Sequence, residues 1–320
     1  MAVLVTGIAG FVGSYLTELL LEKKEKVVGL YWNSNLENIE HIKSKVQLFS
    51  CNVADFRQVH QIIKKIKPKE IYHLAAISSV GKSFSEPVFT FKVNFGGTQN
   101  ILEAVRKENL KSKILIPNSA DMYGRVSAQA LPIKETHPLK PISPYAISKT
   151  CADVLAEQYF KIYGIPVIRT RSFNHTGPRQ ALGFVIPDFA SQVAKIDLDL
   201  QKPVLKVGDL RAKRDISDVR DIVSGYYLLM KRGKPGETYN IGSGKIYSLK
   251  KVLQYLVSLS SRKIRVEIDK TRLRKIDIPV LQADITKIKN DTGWKAKTPL
   301  EKTLQDTYNF WSEYWLGNQN

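Results

Sequence analysis

The sequence predicts an α/β protein with a doubly wound parallel sheet, followed by a smaller mixed α/β region. Residues 1–171 alternate short apolar runs with segments whose apolar side chains recur at the helical period. Strands that alternate with helices pair in parallel and carry helices on both faces of one sheet. After residue 171 helical segments predominate, so we expect a second, smaller domain at 172–320, with parts of 212–242 returning to the first.

Each strand predicted in the first domain is a short apolar run bounded by polar or turn-forming residues. The first run reads Ala-Val-Leu-Val-Thr and is apolar up to its last residue, as expected for a strand that is buried on both faces. The predicted strands are 2–6, 26–31, 46–50, 70–75, 113–117 and 166–171.

The predicted helices combine an apolar stripe with start and stop signals. In the helix at 55–67, Asp55 and Gln58 form a capping-box pattern and Pro68 ends the helix. The first domain is predicted to contain helices at 14–24, 55–67, 88–108 and 144–163, and the second at 185–195, 218–231, 248–261, 285–292 and 300–314.

Composition excludes several classes of protein. The chain has 320 residues, of which 43% are hydrophobic and 25% charged, which excludes a disordered or collagen-like chain. Two cysteines offer neither a disulfide framework nor a metal cluster, and no leader or apolar run of membrane-spanning length is present, so we expect a cytoplasmic protein without a membrane partner.

The charge is unusual, because 49 Lys and Arg residues stand against 30 Asp and Glu, a net charge of +19. Such an excess invites comparison with nucleic-acid-binding proteins. The basic residues are scattered, however, and the chain has no helix-turn-helix, zinc-finger or RNA-recognition signature. We therefore expect no nucleic-acid partner and keep a non-catalytic nucleotide or nucleic-acid binder only as a remote alternative.

A glycine-rich turn joins the first predicted strand to the first predicted helix. Residues 6–13 place glycine at every third position, and this spacing permits a tight turn, close approach of the backbone to a pyrophosphate and close packing of helix on strand. The helix N-terminus adds unpaired N–H groups and the positive end of its dipole. We expect a dinucleotide cofactor to bind at Gly7, Gly10, Phe11, Val12 and Gly13.

The end of the second strand selects between the two nicotinamide dinucleotides. An acidic residue there favours NAD and a nearby arginine favours NADP. The segment after Tyr31 reads Trp-Asn-Ser and has neither. Asn33 and Ser34 are able to bond a ribose hydroxyl or a phosphate, and the missing acid removes repulsion against a 2′-phosphate, so NADP(H) is favoured over NAD(H).

Tyr145 and Lys149 are four residues apart in the predicted helix at 144–163 and therefore share one helix face. An ammonium group near a phenol favours the phenolate and lowers the pKa of the tyrosine. We expect Tyr145 to exchange a proton with a substrate, and Lys149 both to tune Tyr145 and to hold ribose hydroxyls of the cofactor.

Together these motifs make the sequence similar, over nearly its whole length, to the extended short-chain dehydrogenases/reductases that act on nucleotide sugars. The resemblance is carried by the glycine turn, residues 73–76, Asn94 with 97–98, residues 119–124, and Tyr145 with Lys149. It implies a Rossmann-type sheet for the first domain and a homodimer formed through the helices at 88–108 and 144–163.

The resemblance also implies roles for further residues. Ser119 is the third catalytic residue, which bonds the substrate oxygen that Tyr145 protonates. Asn52, followed by Val53, stands where an acidic residue usually contacts adenine, and this departure weakens that contact. The remaining expected cofactor contacts are Leu74, Ala75 and Ala76.

Within that family the second half of the chain resembles the branch of GDP-mannose 4,6-dehydratases and GDP-4-keto-6-deoxymannose reductases. The matching segments are 171–179, 183–185, 207–215, 274–279 and 292–294, although Lys275 replaces a proline that is frequent in the family. The branch implies a GDP-sugar bound by Asn174, Val185, Arg214, Arg274 and Asp277, with Ser78, Ser79 and Arg179 as further sugar or phosphate contacts.

One position bears on the choice between the two activities of this branch. A dehydratase needs an extra acid/base group, which dehydratases of the family supply as a glutamate two positions after the Ser or Thr. Here that position is Asp121, which is one methylene shorter, and about 1 Å of misplacement costs a rate factor of roughly 100. We expect reduction of a 4-keto-6-deoxy sugar, with dehydration or 4-epimerisation as the alternative and Asp121 as a possible acid/base residue or a turn residue.

Overall fold

The computed structural model describes residues 2–32, 35–272 and 278–318. Seven parallel strands form the main sheet in the order β10-β6-β5-β4-β1-β2-β3. Numbered along the chain, the strands are β1 Val3–Thr6, β2 Val27–Tyr31, β3 Gln47–Ser50, β4 Glu70–His73, β5 Lys113–Ser119, β6 Val167–Ser172, β7 Asn174–Thr176, β8 Val204–Val207, β9 Lys213–Asp218, β10 Thr238–Ile241, β11 Ile246–Ser248, β12 Arg265–Ile268 and β13 Val280–Leu281.

Helices follow most of the strands and cover both faces of the main sheet. They are α1 Phe11–Glu22, α2 Phe56–Ile66, α3 Val80–Ser85, α4 Pro87–Phe91, α5 Gly97–Lys107, α6 Pro144–Tyr163, α7 Val185–Asp197, α8 Val219–Arg232, α9 Leu249–Ser258, α10 Thr286–Thr292 and α11 Leu300–Gly317, with a 3₁₀ helix at Glu37–Lys45. No helix in the described ranges is both long and apolar enough to span a bilayer.

The main sheet confirms the doubly wound prediction. The chain runs outward from β1 through β2 to β3, then returns to place β4 on the other side of β1. The strand order therefore reverses between β1 and β4. In open parallel sheets the crevice outside the carboxyl ends of the strands at such a reversal is where ligands bind.

Apolar side chains fill the space between the sheet and each helical layer. On one face α1 and α8 bury residues such as Leu16 and Tyr226. On the other face α2, α5 and α6 bury residues such as Ile63, Ile101 and Ala156. Burial of each large aliphatic side chain contributes about 1.5–3 kcal/mol, so the two layers hold the strand ends in fixed positions.

The helix predicted at 55–67 forms one residue shorter at each end, as α2. The Asp55 side chain accepts hydrogen bonds from the N–H groups of Arg57 and Gln58. The second half of the predicted capping box is wrong, because the side-chain oxygen of Gln58 accepts from the N–H of Asn52 instead of that of Asp55.

The helix predicted at 88–108 is correct in extent but not in regularity. Between α4 and α5 the chain makes a π-helical turn at Lys92–Gly96. Asn94 in this turn accepts from the N–H of Ile77 and donates to the Ile77 carbonyl and to the Ser148 hydroxyl. These bonds tie α5 to α6 and to the loop after β4, a long-range demand that the helical period of the sequence does not show.

A second group of elements forms its own core in the C-terminal half. Strand β9 pairs with β7, β11 and β13, and β8 pairs with β12. Helices α7, α9 and α11 surround a separate cluster that includes Leu205, Leu253 and Trp311. Of residues 212–242, α8 packs on α1 and β10 pairs with β6, while the division at residue 171 stays a prediction.

We predict that Asn94→Ala lowers the free energy of unfolding by about 2–4 kcal/mol, because it leaves buried polar groups of Ile77 without partners. Chemical denaturation measures this loss. Gln99→Ala, at an exposed position of α5, is the matched control and should change stability by less than about 0.5 kcal/mol. Equal stabilities for the two variants would show that the Asn94 bonds do not hold the π-helical turn.

Candidate active site

A cleft of about 790 Å³ opens at the carboxyl ends of the main strands. One wall is the glycine turn with the ends of β4, β5 and β6, and the other is built from the start of α7 and from β9. The cleft therefore lies between the two cores, at the reversal of strand order where such sheets bind ligands.

The glycine turn is shaped by contacts that exclude side chains. Gly7 has φ +70°, and a Cβ there would lie 2.9 Å from the backbone nitrogen of Ala75. At Gly13 a Cβ would lie 2.2 Å from the Gly7 carbonyl oxygen. The first N–H groups of α1 have no acceptor within the helix, and Phe11, Val12 and Gly13 line the cleft. This cradle fits the pyrophosphate of a dinucleotide.

Tyr145 lies at the centre of the cleft wall, with only 9% of its surface exposed. Burial raises the pKa of its phenol, the nearby Asp121 carboxylate raises it further, and a hydrogen bond with the Ser119 side chain lowers it. The net direction is upward, so Tyr145 carries its proton at neutral pH.

The prediction that Lys149 brings the pKa of Tyr145 toward neutrality is therefore wrong for the described residues. Lys149 is itself buried, and its Nζ donates to the carbonyl oxygen of Pro117 at 2.9 Å. Burial lowers the pKa of the Lys149 ammonium to about 8. Four-residue spacing puts both side chains on one helix face, but burial is the largest cause of both pKa shifts.

His73 lies behind the glycine turn and is neutral. The Thr6 hydroxyl accepts from the N–H of Ala75 at 3.0 Å and shares a second hydrogen bond with His73 Nδ1 at 2.9 Å. Burial and the charge of Lys149 lower the pKa of His73 to about 3. This chain of bonds fixes the end of β4 against the turn at the end of β1.

A network of buried charges supports Ser119 from behind. Asn118, next to Ser119, donates to one oxygen of Asp153 at 3.0 Å. The other Asp153 oxygen accepts from Arg169 at 3.2 Å and from Arg171 at 3.1 Å. This network was not predicted from the sequence, although two arginines in a strand expected within the parallel sheet were a visible signal.

The expected catalytic, cofactor and substrate residues divide into three groups by their place in the structure. Ser78, Ser79, Asn174, Val185 and Arg214 line the cleft, as do Ser119 and Asp121. Expected contacts outside the described residues are Asn33, Arg274 and Asp277. Five expected residues lie in the described part of the chain but do not line the cleft, namely Asn52, Val53, Ala75, Lys149 and Arg179.

Arg179 requires a correction, because its guanidinium is directed at the protein and not at the cleft. It donates to both oxygens of Glu18, at 2.7 and 3.0 Å, and lies 3.7 Å from the centre of the Tyr15 ring. A third bond goes to the carbonyl of Asn38. The arginine thus joins the loop after β7 to α1 and to the 3₁₀ helix.

The structure adds cleft residues that sequence reasoning missed. His175 stacks on Phe11, with ring centres 6.3 Å apart, and its Nδ1 donates to the Phe173 carbonyl. Burial lowers the pKa of His175, so its Nε2 is unprotonated. At the outer end of the cleft Asp188 pairs with Arg272 at 3.2 Å.

Comparisons with known proteins agree with this geometry. A family model described as GDP-mannose 4,6 dehydratase matches residues 4–307. GDP-mannose 4,6 dehydratase 1 of Arabidopsis thaliana is 34% identical over 320 residues, covering 94% of this chain and 87% of that protein. GDP-6-deoxy-D-mannose reductase of Pseudomonas aeruginosa is 32% identical over 244 residues, covering 76% of this chain and 80% of that protein.

A solved structure shows the same architecture. RMD from Pseudomonas aeruginosa complexed with NADPH superposes with a TM-score of 0.86 at 28% identity, covering 98% of this chain and all of that one. The similarity extends over both the sheet and the C-terminal elements, and it agrees with a nicotinamide cofactor in the cleft.

We predict that Gly13→Ala weakens NADPH binding at least about tenfold, because the new methyl group collides with the Gly7 carbonyl and displaces the start of α1. Fluorescence titration with NADPH measures the change. Gly96→Ala adds a methyl group that meets no atom within 4 Å, and it should bind NADPH as the unaltered protein does. An unchanged affinity for Gly13→Ala would contradict the assigned cradle.

Proposed function

Because this chain belongs to the GDP-mannose 4,6-dehydratase family of short-chain dehydrogenases/reductases, we propose that it reduces a nucleotide-linked 4-keto-6-deoxy sugar with NAD(P)H. The reaction is of the type that converts GDP-4-keto-6-deoxymannose to GDP-rhamnose. The observation that carries this proposal is the buried Tyr145 phenol, whose raised pKa keeps it protonated beside Ser119. Reduction of a ketone consumes a proton, whereas oxidation of an alcohol needs a base.

In the proposed mechanism, a reduced nicotinamide bound in the glycine cradle would supply the hydride that C4 of the keto sugar needs. Ser119 donates a hydrogen bond to the C4 oxygen and orients it, and Tyr145 transfers its proton to the same oxygen as negative charge develops there. The Lys149 ammonium holds the ribose of the cofactor and favours the phenolate that remains, which gives that residue a role after the proton has left. Asn118 and Asp153 act as positioning residues for Ser119.

We assign the cofactor to the cradle of Gly7, Gly10, Phe11, Val12 and Gly13, with Leu74 and Ala76 along the same wall. NADP(H) is the preferred form, because no acidic residue follows β2 and the nearby Glu18 carboxylate is paired with Arg179. The NADPH complex of the Pseudomonas structure supports the same choice. Asn52, Val53 and Ala75 are assigned to the adenine side of the site.

The nucleotide sugar is assigned to the wall formed by α7 and β9. Arg214 suits the diphosphate, because a guanidinium is able to bond two of its oxygens at once. Asn174 and Val185 lie beside it in the cleft, and Ser78 and Ser79 face the sugar from the other wall. The names of both enzyme relatives favour a GDP-sugar.

The main alternative is a GDP-mannose 4,6-dehydratase or a nucleotide-sugar 4-epimerase. The observation that favours a dehydratase is Asp121, which lines the cleft and whose charge raises the pKa of Tyr145. A carboxylate in the lining of the cleft is able to exchange protons with a bound sugar. Against this stands its short side chain, which reaches one methylene less far than glutamate.

A homodimer is part of the same proposal. Helices α4 and α6 expose apolar side chains that a monomer would leave in water, with Val88 81% exposed and Ile162 65% exposed. Val154 and Ile147 continue the exposed row on α6. Contiguous apolar patches of this kind mark protein interfaces.

The function is tested with the keto sugar and with GDP-mannose in parallel. We expect NADPH oxidation with GDP-4-keto-6-deoxymannose, and a loss of about 100-fold or more in kcat for Tyr145→Phe, because the proton donor is removed. Tyr163→Phe, at an exposed position on the same helix, should retain full activity. Formation of a 4-keto product from GDP-mannose alone would refute the reductase assignment in favour of the dehydratase.

The pH dependence of kcat/KM distinguishes the loss of a proton from Lys149 from the loss of a proton from Tyr145. The depressed pKa of Lys149, about 8, predicts that kcat/KM is constant below pH 8 and falls above it as the ammonium loses its proton. Tyr145 remains protonated across this range. Lys149→Arg keeps the positive charge and should move the decline to higher pH, and an unchanged alkaline limb would assign the decline to another group.

A further inference from the structure

The charge of the first domain is distributed unequally between the two edges of the main sheet. The amino edge consists of the chain that leads into each strand after β1, namely residues 20–27, 43–47, 64–70, 105–113, 161–167 and 230–238. These segments contain 17 Lys or Arg residues and five glutamates. The carboxyl edge, with the cleft, has two basic and two acidic residues in residues 6–11, 31–32, 35–36, 50–55, 73–79, 119–125, 172–177 and 241–246.

The sheet topology brings these separated segments onto one surface. All seven strands are parallel, so their amino ends share one edge, and the preceding helices end there as well. Strands lie about 4.8 Å apart, so the edge is about 29 Å long. Because helices cover both faces of the sheet, the basic groups extend about 10 Å to each side of it. The result is a broad surface of basic residues and not a single row. We call the surface formed by these six segments the basic surface.

Most of this charge faces water without compensation. Nine exposed lysines of the basic surface have no ion-pair partner among the residues that the structure describes: Lys23, Lys24, Lys26, Lys45, Lys64, Lys65, Lys67, Lys107 and Lys111. Two glutamates of the basic surface are already in ion pairs within the protein, since Glu25 binds Lys69 and Lys231, and Glu70 binds Lys231.

Helix dipoles explain part of this pattern. Cations are favoured at helix C-termini, and α1, α2, α5 and α8 all end at the basic surface. Lys113 stabilises a helix end from a neighbouring strand, because its Nζ donates to the carbonyls of Met230 and Gly233 at the end of α8. The effect falls off within one turn of the helix, however, and Lys26, Lys69 and Lys111 lie in loops. Helix stabilisation does not account for these residues.

We propose that this basic surface is a docking surface for an anionic lipid bilayer. Its breadth matches a plane, and 15 of its 17 cations are lysines, which act as point charges without geometric demands and suit laterally mobile headgroups. The cleft opens at the opposite edge of the sheet, so a docked molecule keeps its active site open to solution. This inference does not depend on which sugar nucleotide the cleft binds.

A nucleic acid is the competing polyanion, and the surface fits it less well. Single strands are held by aromatic platforms with bases stacked on them. On the basic surface, the ring of Tyr163 is covered by Arg106, whose guanidinium carbon lies 5.2 Å from the centre of the ring. The nucleobases of a duplex are recognised mainly by arginine and amide side chains. The arginines of the basic surface are Arg106 and Arg232, and its other 15 cations are lysines.

The test is cosedimentation of the purified full-length protein with vesicles at low ionic strength. We expect binding to phosphatidylserine-containing vesicles, no binding to pure phosphatidylcholine vesicles, and release as salt screens the charges. A triple variant, Lys23→Gln, Lys64→Gln and Lys111→Gln, should weaken binding about 100-fold, from a loss of roughly fivefold per lysine near the surface.

The matched control removes the same charge elsewhere. Lys250→Gln, Lys251→Gln and Lys263→Gln change exposed lysines on α9 and the loop after it, and this variant should bind vesicles nearly as well as the unaltered protein. Thermal unfolding and turnover in solution should match for both variants. An equal loss in the two triples, or no binding to anionic vesicles, overturns the proposal. Tighter binding to a DNA duplex through the same lysines assigns the surface to nucleic acid instead.

Discussion

The active site depends on the close approach of two backbones at the point where strand order reverses. Gly7, at the end of β1, lies against Ala75 after β4 with no room for a side chain, and Gly13 lies even closer to the Gly7 carbonyl. This contact sets the start of α1 beside the ends of β4 and β5. The unpaired N–H groups of the helix and the side chains of Ser119 and Tyr145 consequently share one cleft. A single added methyl group at the turn would move the phosphate cradle relative to the proton donor.

Burial then decides which protons the site holds. The same loss of solvent that raises the pKa of Tyr145 lowers those of Lys149 and His73, because a low dielectric disfavours any charged form. The phenol is consequently an acid and the imidazole is neutral. Asp153 compensates part of the positive charge behind the strand ends through Arg169 and Arg171. This arrangement suits proton donation to a developing alkoxide and is the physical basis for proposing a reductase.

A parallel sheet has two unlike edges, and this protein uses them for different purposes. The carboxyl edge carries the glycine turn, the polar side chains of the cleft and almost balanced charge. The amino edge carries most of the excess lysine. The net charge of +19, which at first suggests a field that attracts anionic substrates, is therefore concentrated away from the cleft and is better understood as a property of the opposite surface.

The sequence by itself determined the parts of the molecule that local patterns specify. The helix at Pro144–Tyr163 forms with Ser143 as its cap and Gly164 in the left-handed region as its end, and the glycine turn has the geometry that its spacing predicts. Only the tertiary structure decided the proton on Tyr145, the turning of Arg179 toward Glu18, the π-helical turn at Asn94 and the surface on which the lysines gather. Each of these depends on groups that are distant along the chain, such as Glu18 and Arg179, which are 161 residues apart. Capping, periodicity and turn chemistry act between neighbours, whereas desolvation and ion pairing depend on what the fold places nearby.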